Sequence, residues 1–340
     1  MTISQPIDGS AAVRSWTSAA RRLIPTPEPY RRPDVGRAAA LRLLDCDEAT
    51  LDLLLSAGLP ATGTGRDLWF DRYDLINVAV HGGTGRSVPE AAQRFLLRYA
   101  DGPRDGWTAP RSWTLRWMLA CADPGCTGTW RIRTPVPELF GGRLEAQDAR
   151  QTAPGVIEAT GGRVRLTAGL VTGGFRAEVR SSLARKLFDE LLDELETERL
   201  RYQWLPPGLN TDAAAAVRHG AVDCVAAALV LAERARDCGL NARTRRGRML
   251  GMLAVDHSWA EVQDTGGRWL PLDPIFALLG GAGRVGAAGA EFREFCAGSV
   301  PSRFLPWDRA AGEPLAEHEC AAGGWTEGTG TETFLATPAT

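Results

Sequence analysis

The residues best suited to nucleophilic chemistry lie in two stretches in the second half of the chain. One stretch, "DHSWAEVQDTGGRWLPLDP" (256–274), contains His257, one of only four histidines, and Asp273, which directly precedes a proline. A carboxylate beside an imidazole fixes its tautomer and stabilises the imidazolium, which is the orienting role in a nucleophilic triad. His257 and Asp273 are therefore candidates for a general base and the acid that orients it.

The register of a hairpin decides whether these two side chains can meet. Alternation of polar and apolar residues predicts strands over 257–263 and 267–273, joined by the three-residue loop 264–266 with its glycine in the left-handed conformation. In that register His257 lies directly opposite Asp273, on the same face. A two-residue loop at 265–266 or 266–267 would place them on opposite faces. The best-matched turn predicts the contact.

The second stretch, "HGAVDCVAAALVLAERARDCGLNAR" (219–243), supplies a nucleophile. Its pattern predicts a helix over 224–237, with Asp223 as N-cap and Gly239 beyond its end. Cys224 then lies in the first turn, where the helix dipole lowers the pKa of a thiol and favours the thiolate. No serine occurs in a G-x-S-x-G turn that could serve instead.

A structural interpretation exists for each of these residues. Cys224 could be a buried structural thiol, because free cysteine is among the most buried residue types. His257 could be a core histidine with its hydrogen bonds satisfied, and Asp273 could only cap a turn. Trp259 and Trp269 are predicted to belong to the hairpin core.

Together the two stretches resemble the transglutaminase-like superfamily of papain-like cysteine enzymes over roughly residues 210–276. The resemblance implies that Cys224 is the nucleophile, His257 the base and Asp273 the orienting acid. It also implies structural positions for Trp259, Glu261, Trp269 and Pro274. Trp204 and Gln203 are candidate side chains for an oxyanion hole, and the backbone N–H of Cys224 is another donor. The sequence contains no acidic calcium-binding loop, so no cofactor is expected.

The resemblance also implies an α+β fold, in which a transglutaminase-like, papain-like core packs the nucleophile helix on an antiparallel sheet. We expect a flexible N-terminal arm over 1–35, an N-terminal α/β region over 36–180, the catalytic core over 181–300 and a C-terminal segment with a disordered tail over 301–340. Local patterns predict a helix over 36–58, a strand over 67–80, a helix over 88–100, a hairpin at Gly161-Gly162 and a helix over 183–204.

Composition argues against several classes of protein. A net charge of −2 gives no reason to expect nucleic acid or a membrane surface as a partner. No apolar run approaches the ~20 residues of a membrane helix, and the N-terminus lacks the apolar core of a signal peptide. Seven cysteines do not form a disulfide framework, so a reduced, cytoplasmic protein is expected.

Two further motifs are weaker. Cys121 and Cys126 could form half of a zinc site, but no second pair with ligand spacing follows, so no metal is predicted. The segment "HGGTGRS" (81–87) lacks the lysine of a phosphate-binding loop and is interpreted as a glycine turn. His219 could line a cleft or lie on the surface.

The predicted chemistry is acyl transfer through a thioacyl-enzyme, forming an amide on a small-molecule or carrier-bound acyl group. The substrate would contain an amide or thioester, the acceptor would be an amine or water, and an acyl carrier protein or a peptide could be the partner. The alternatives are a cysteine peptidase or amidase that hydrolyses an amide, and a non-catalytic binding module of the same fold. A triad alone does not distinguish transfer from hydrolysis, because the dryness of the cleft and an amine pocket decide between them.

Overall fold

The computed structural model describes residues 9–123, 125–147, 151–153, 155–251, 255–281, 287–320, 324–327 and 333–338. The fold mixes helices and sheets. It divides into two compact units, each assembled from two segments of the chain. Unit 1 comprises Met1–Phe95 and Thr197–Ala226, and unit 2 comprises Leu96–Glu196 and Ala227–Thr340.

The elements follow in chain order. The helices are α1 (Gly9–Arg22), α2 (Arg37–Leu44), α3 (Glu48–Ser56), α4 (Arg72–His81), α5 (Val88–Leu97), α6 (Ser182–Glu196), α7 (Ala213–His219), α8 (Cys224–Asp237), α9 (Pro274–Gly281) and α10 (Ala287–Phe295). The strands before α6 are β1 (Pro33–Gly36), β2 (Trp69–Asp71), β3 (Arg111–Ala120), β4 (Thr129–Arg133), β5 (Arg143–Gln147), β6 (Gln151–Ala153), β7 (Val156–Thr160) and β8 (Arg163–Thr172). The later strands are β9 (Arg201–Tyr202), β10 (Ala221–Val222), β11 (Ala242–Met249), β12 (Val255–Gln263), β13 (Trp269–Leu272), β14 (Phe304–Pro306), β15 (Ala316–Cys320), β16 (Gly324–Glu327) and β17 (Thr333–Pro338).

Unit 1 has a helical core to which the N-terminal segment contributes. Ala12, Trp16 and Ala20 recur on one face of α1 and are buried, and Trp16 packs in a cluster with residues of α2, α3 and α4. A Cβ on Gly82 would lie 2.2 Å from the Trp16 ring, so the indole needs a glycine there. Of the arm predicted for 1–35, residues 1–8 lie outside the described residues. From Gly9 onward the structure has a packed helix instead of an irregular segment, because helical spacing of apolar residues outweighs the Pro- and Arg-rich composition.

Two other predictions in unit 1 are corrected. The strand predicted over 67–80 is limited to β2, because Asp71 caps α4 by accepting hydrogen bonds from the N–H groups of Tyr73 and Asp74. The helix predicted over 36–58 is divided into α2 and α3, since Asp45 takes a left-handed conformation (φ 52°) between them. The helix predicted over 88–100 is present as α5.

Unit 2 contains two antiparallel sheets whose side chains share one core. Their strand orders are β16-β15-β4-β7-β6 and β17-β3-β8-β5. Trp113 and Trp117 of β3 pack in one cluster with Trp130 of β4 and Leu170 of β8. This is the arrangement of a β-sandwich.

The hairpin predicted at Gly161-Gly162 is wrong, because β7 and β8 belong to different sheets of the sandwich. β7 pairs with β4, whereas β8 pairs with β3 in the other sheet, so the two glycines carry the chain between sheets. The predicted disordered tail is also corrected where it is described. β16 pairs with β15, and β17 pairs with β3, because an edge strand needs backbone hydrogen bonds rather than an apolar composition.

A third sheet of unit 2, with strand order β13-β12-β11-β14, carries two of the predicted site residues. All its pairings are antiparallel. The helix predicted over 183–204 is present as α6 but ends at Glu196, and Arg234 of α8 binds Glu194 of α6 through two hydrogen bonds. None of the helices in the described part of the chain has both the length and the apolarity of a membrane span.

Candidate active site

Cys224 is the first residue of α8, as the sequence predicts. The carboxylate of Asp223 accepts a hydrogen bond from the N–H of Ala226 at 2.9 Å, which is the expected N-cap geometry. Asn210 donates to the other carboxylate oxygen at 3.4 Å, and burial raises the pKa of Asp223 to about 6. Cys224 is half-buried, and the residues that follow it in α8 are small and apolar.

The segment beside Cys224 is held by residues of the N-terminal region. β9 pairs in parallel with β10, and the N–H of Gln203 donates to the carbonyl of Val222 at 3.1 Å. The side-chain oxygen of Gln203, which is 1% exposed, accepts a hydrogen bond from the N–H of Ile24 at 3.2 Å. Gln203 is therefore a buried amide whose backbone N–H is bound to Val222, two residues before Cys224.

The buried Asn77 of α4 positions the residue after Gln203. Its side-chain oxygen accepts from the N–H of Trp204 at 2.7 Å, and its side-chain nitrogen donates to the Trp204 carbonyl at 2.9 Å. Sequence reasoning missed Asn77, because nothing local to residue 77 indicates a partner 127 residues away.

His257 and Asp273 are brought together in unit 2. His257 Nε2 lies 2.5 Å from Asp273 Oδ2, and the two residues are 5% and 3% exposed. The rings of Phe304, Trp259 and Phe276 surround the imidazole, with centroids 5.3, 6.0 and 6.2 Å away. This apolar surrounding shields the pair from water, so the carboxylate can fix the imidazole firmly.

The hairpin that creates this contact has a register different from the predicted one. Gln263 pairs with Trp269 rather than with Gly267, and the glycine in the left-handed conformation is Gly267 (φ 79°). The loop is displaced by one residue along the chain, so each residue of β12 pairs with a residue of β13 two positions later than predicted. An offset of two preserves the face of every side chain. His257 and Asp273 remain on one face and meet diagonally instead of directly opposite each other.

Asp273 has a second task. Its Oδ1 accepts a hydrogen bond from the N–H of Phe276 at 2.9 Å, which caps α9 with Pro274 at the first helical position. Its backbone N–H donates to the carbonyl of Cys296 at 3.1 Å. Asp273 thus caps α9 through one carboxylate oxygen and contacts His257 through the other. The structural interpretation is confirmed, and the orienting role stays a prediction.

The structural positions implied for Trp259 and Glu261 are occupied as expected. The Glu261 carboxylate is 1% exposed and accepts hydrogen bonds from Arg243, Arg245 and the Trp259 indole. Arg245 also binds the Trp307 carbonyl at 3.0 Å, which ties β11 to the segment after β14. The Arg243 guanidinium stacks 3.9 Å above the Trp269 ring. This network fixes the strand on which His257 lies.

The remaining residues considered in the sequence, namely His219, the segment 81–87 and Cys238, lie at the ends of helices or in a turn. His219 ends α7, is half-buried, and has a pKa lowered by burial. In the segment 81–87, Gly85 (φ 73°) donates its N–H to Glu90, and Ser87 caps α5, so this segment is a turn. Cys238, beyond the end of α8, is exposed.

Residues 167–274 match the model of the transglutaminase-like superfamily. This segment is transglutaminase-like. It makes up about a third of the chain and includes Cys224, His257 and Asp273. The match supports cysteine-based catalysis in general, and it leaves open whether the acyl group passes to an amine or to water.

The chain is similar to a solved structure, at low sequence identity. A protein from Cytophaga hutchinsonii, described as a candidate cysteine protease, is similar with a TM-score of 0.41 and 12% identity, over 68% of this chain and 92% of that one. No curated protein matches the chain.

Proposed function

We propose that the chain is a cysteine-dependent acyltransferase in which Cys224, His257 and Asp273 act as nucleophile, base and orienting acid. The observation that carries this proposal is the 2.5 Å contact between His257 Nε2 and Asp273 Oδ2. With Nε2 engaged by the carboxylate, the ring is oriented so that Nδ1 can exchange a proton with a thiol. The joint action of Cys224 with His257 and Asp273 is proposed from the match of residues 167–274, which include all three, to the transglutaminase-like superfamily.

The reaction has two stages. The Cys224 thiol gives its proton to His257, and the sulfur attacks the carbonyl carbon of an amide or thioester. The tetrahedral intermediate expels an amine or a thiol, which takes the proton from His257, and a thioacyl-enzyme remains. An amine acceptor then loses a proton to His257 as it attacks the thioester. The amide leaves, and Cys224 recovers its proton.

The oxyanion of each intermediate needs fixed donors. The N–H of Cys224 lies in the first turn of α8, where the positive end of the helix dipole favours a negatively charged oxygen. Gln203 is the side-chain candidate, because its oxygen is held by Ile24 and its N–H₂ is the remaining donor group. Both groups belong to unit 1, as Cys224 does.

An amine acceptor is favoured by the construction of unit 1. Ile24 and Asn77 of the N-terminal region hold Gln203 and Trp204. These two residues directly follow β9, which pairs with β10 just before the nucleophile. A region built around the nucleophile segment is positioned to shape a pocket for a particular acceptor. We assign the acyl donor to small-molecule or carrier-bound thioesters, in a reduced cytoplasmic setting. All seven cysteines lie in the described part of the chain, and none of them forms a disulfide there, which supports this setting.

The test is a partition experiment. The full chain is incubated with a panel of short aliphatic and aromatic acyl thioesters, with and without a mixture of primary amines, and the products are separated by mass. We expect amide formation to exceed hydrolysis when an accepted amine is present, and neither product with Cys224→Ala. Release of free acid alone, unaffected by any amine, would identify a hydrolase instead. Equal turnover by Cys224→Ala would exclude the proposal.

A further inference from the structure

Four potential metal ligands converge at one end of the β-sandwich of unit 2, away in sequence from the triad residues. They are Cys121, Cys126, His318 and Cys320. Cys121 directly follows β3, Cys126 lies three residues before β4, and the other two are on β15. The ligand atoms of Cys121, Cys126 and His318 all lie within 4.8 Å of one another. Cys121, Cys126 and His318 are 9%, 4% and 0% exposed.

Three of the six distances between the four ligand atoms fit tetrahedral coordination of one ion. Cys320 Sγ lies 3.9 Å from Cys121 Sγ and 3.7 Å from Cys126 Sγ, and Cys126 Sγ lies 3.7 Å from His318 Nε2. With Zn–S bonds of about 2.3 Å and Zn–N bonds of about 2.0 Å, tetrahedral geometry separates two sulfurs by about 3.8 Å and a sulfur from a nitrogen by about 3.5 Å. The sulfurs are much too far apart for a disulfide, in which they are about 2.05 Å apart.

The surrounding backbone supports the ligands. The N–H of Gly128 donates to Cys126 Sγ at 3.3 Å, a bond that stabilises a thiolate. A Cβ on Gly128 would lie 2.0 Å from the Glu319 carbonyl and 3.1 Å from Cys126 Sγ, so only glycine allows this approach. The His318 ring lies opposite Trp130 across the strand pair and stacks on it, with centroids 4.1 Å apart.

We infer that Cys121, Cys126, His318 and Cys320 form a structural zinc site. Three thiolates and one imidazole complete a tetrahedral shell and leave no position open for a substrate, which is the property of a structural site. Since β3 belongs to one sheet and β4 and β15 to the other, the ion would tie the two sheets of the sandwich together. The site is independent of the reaction proposed for Cys224.

The first test is the metal content of the full chain. The protein, produced with added Zn²⁺ and freed of loosely bound metal by gel filtration, should contain about one equivalent of zinc by elemental mass spectrometry. The zinc content of Cys126→Ser and His318→Ala should fall about tenfold or more. Cys296→Ser is the matched control, because Cys296 is a buried cysteine of the same unit outside the cluster. It should retain zinc, and so should Cys224→Ala, which lacks the proposed nucleophile.

A second test does not depend on the folding of the variants. Wild-type protein is stripped of zinc under reducing conditions and titrated with Co²⁺. We expect intense visible bands of tetrahedral cobalt and sulfur-to-metal charge transfer in the near ultraviolet, both abolished by added Zn²⁺. A zinc-free protein that is folded, binds no Co²⁺ and keeps its melting temperature in chelator would overturn the inference. A Cys121–Cys320 or Cys126–Cys320 disulfide in peptide maps of freshly isolated protein would do so too.

Discussion

At the scale of single residues, Asp273 links the proposed orientation of His257 to the capping of a helix, because its two carboxylate oxygens have different partners. Oδ2 binds His257, and Oδ1 caps α9 through the N–H of Phe276. The two functions can be separated by substitution, since an asparagine retains one oxygen and an alanine retains none.

Asp273→Asn should lower the turnover of acyl transfer about 10²–10³-fold, because the charge that stabilises the imidazolium is lost while the cap survives. Asp273→Ala should show a similar or larger loss of activity and, in addition, lower stability by about 1 kcal/mol through loss of the cap. Steady-state kinetics and urea unfolding of both variants measure these effects. Full activity of a folded Asp273→Asn would reduce the triad to a dyad.

Cys224 should differ from the other cysteines in reactivity. Its position in the first turn of α8 favours the thiolate, whereas burial raises the pKa of Cys46 to about 11 and that of Cys296 well above its usual value. Limited iodoacetamide treatment near pH 7, followed by peptide mapping, should label Cys224 first. Cys238 is the internal control, because it is exposed and lies just beyond the other end of the same helix. Preferential labelling of Cys238 would argue against an activated nucleophile.

Residue types and order were enough to single out Cys224, His257 and Asp273 as candidates, because each belongs to a local pattern with a distinct chemistry. Gln203 was only one candidate among several, and its fixation by Ile24 depends on a contact that no local pattern encodes. His318 and Cys320 were missed for a related reason. His318 and Cys320 are separated by one residue on a strand, which is not the usual spacing of two zinc ligands. They also lie 192 and 194 residues from Cys126, so no local pattern connects them with it.

At the scale of elements, β11 determines where the strand of His257 can lie. Gly247 pairs with His257, and a Cβ at Gly247 would lie 2.6 Å from both the Leu305 carbonyl and the Trp259 ring. The glycine thus allows the Trp259 ring, whose centroid lies 6.0 Å from that of the imidazole, to approach β11 closely.

Gly247→Ala should destabilise the protein by about 1–3 kcal/mol, since a methyl group must be accommodated in a packed site. It should also lower activity, because the displaced Trp259 ring lies 6.0 Å from the His257 ring. Thermal unfolding and kinetics measure both. Gly266→Ala is the control, because Gly266 is exposed in the hairpin loop and a Cβ there would meet only the Asp264 side-chain oxygen, at 3.3 Å, and no backbone atom or ring. Equal stability of the two variants would contradict this account.

Elements were predictable where their ends carry local signals. α8 begins and ends as predicted, because the Asp223 cap and Gly239 (φ 81°) are local features. The hairpin of β12 and β13 was predicted with the correct faces although its loop was displaced by one residue. The partners of β7 and β8 were not predictable, because pairing within a sandwich depends on strands distant in sequence.

At the scale of the whole molecule, the two units are interleaved along the chain, and the boundary at Ala226 falls inside α8. Cys224 therefore belongs to the unit that contains the N-terminal region, whereas His257 and Asp273 belong to the other. A division into consecutive segments, as composition and patterns suggested, did not reveal this arrangement, because it depends on contacts between residues 1–95 and 197–226.

The stability of the molecule should depend on pH through Asp223. Burial raises its pKa from 3.8 to about 6, so the folded chain keeps a proton there that the unfolded chain releases between those values. The free energy of unfolding contributed by this group therefore falls as pH rises from about 4 to about 6, and is constant above. Asp223→Asn removes the titration and keeps an oxygen to cap α8.

The urea midpoint of Asp223→Asn relative to wild type should thus be higher at pH 7 than at pH 4. Comparing the two proteins at the same pH removes the contributions of other carboxyl groups. A midpoint difference that is unchanged between pH 4 and pH 7 would contradict the raised pKa.

The central claim is that a thioacyl-enzyme forms on Cys224, and peptide mass spectrometry of the acid-quenched protein tests it most directly. The full chain is mixed with acyl thioesters, quenched in acid and digested. The account predicts an added acyl mass on the peptide that contains Cys224, labile to hydroxylamine, absent in Cys224→Ala and formed more slowly in Asp273→Asn. Acylation distributed over the exposed cysteines, or the same adduct level in Cys224→Ala, would contradict it.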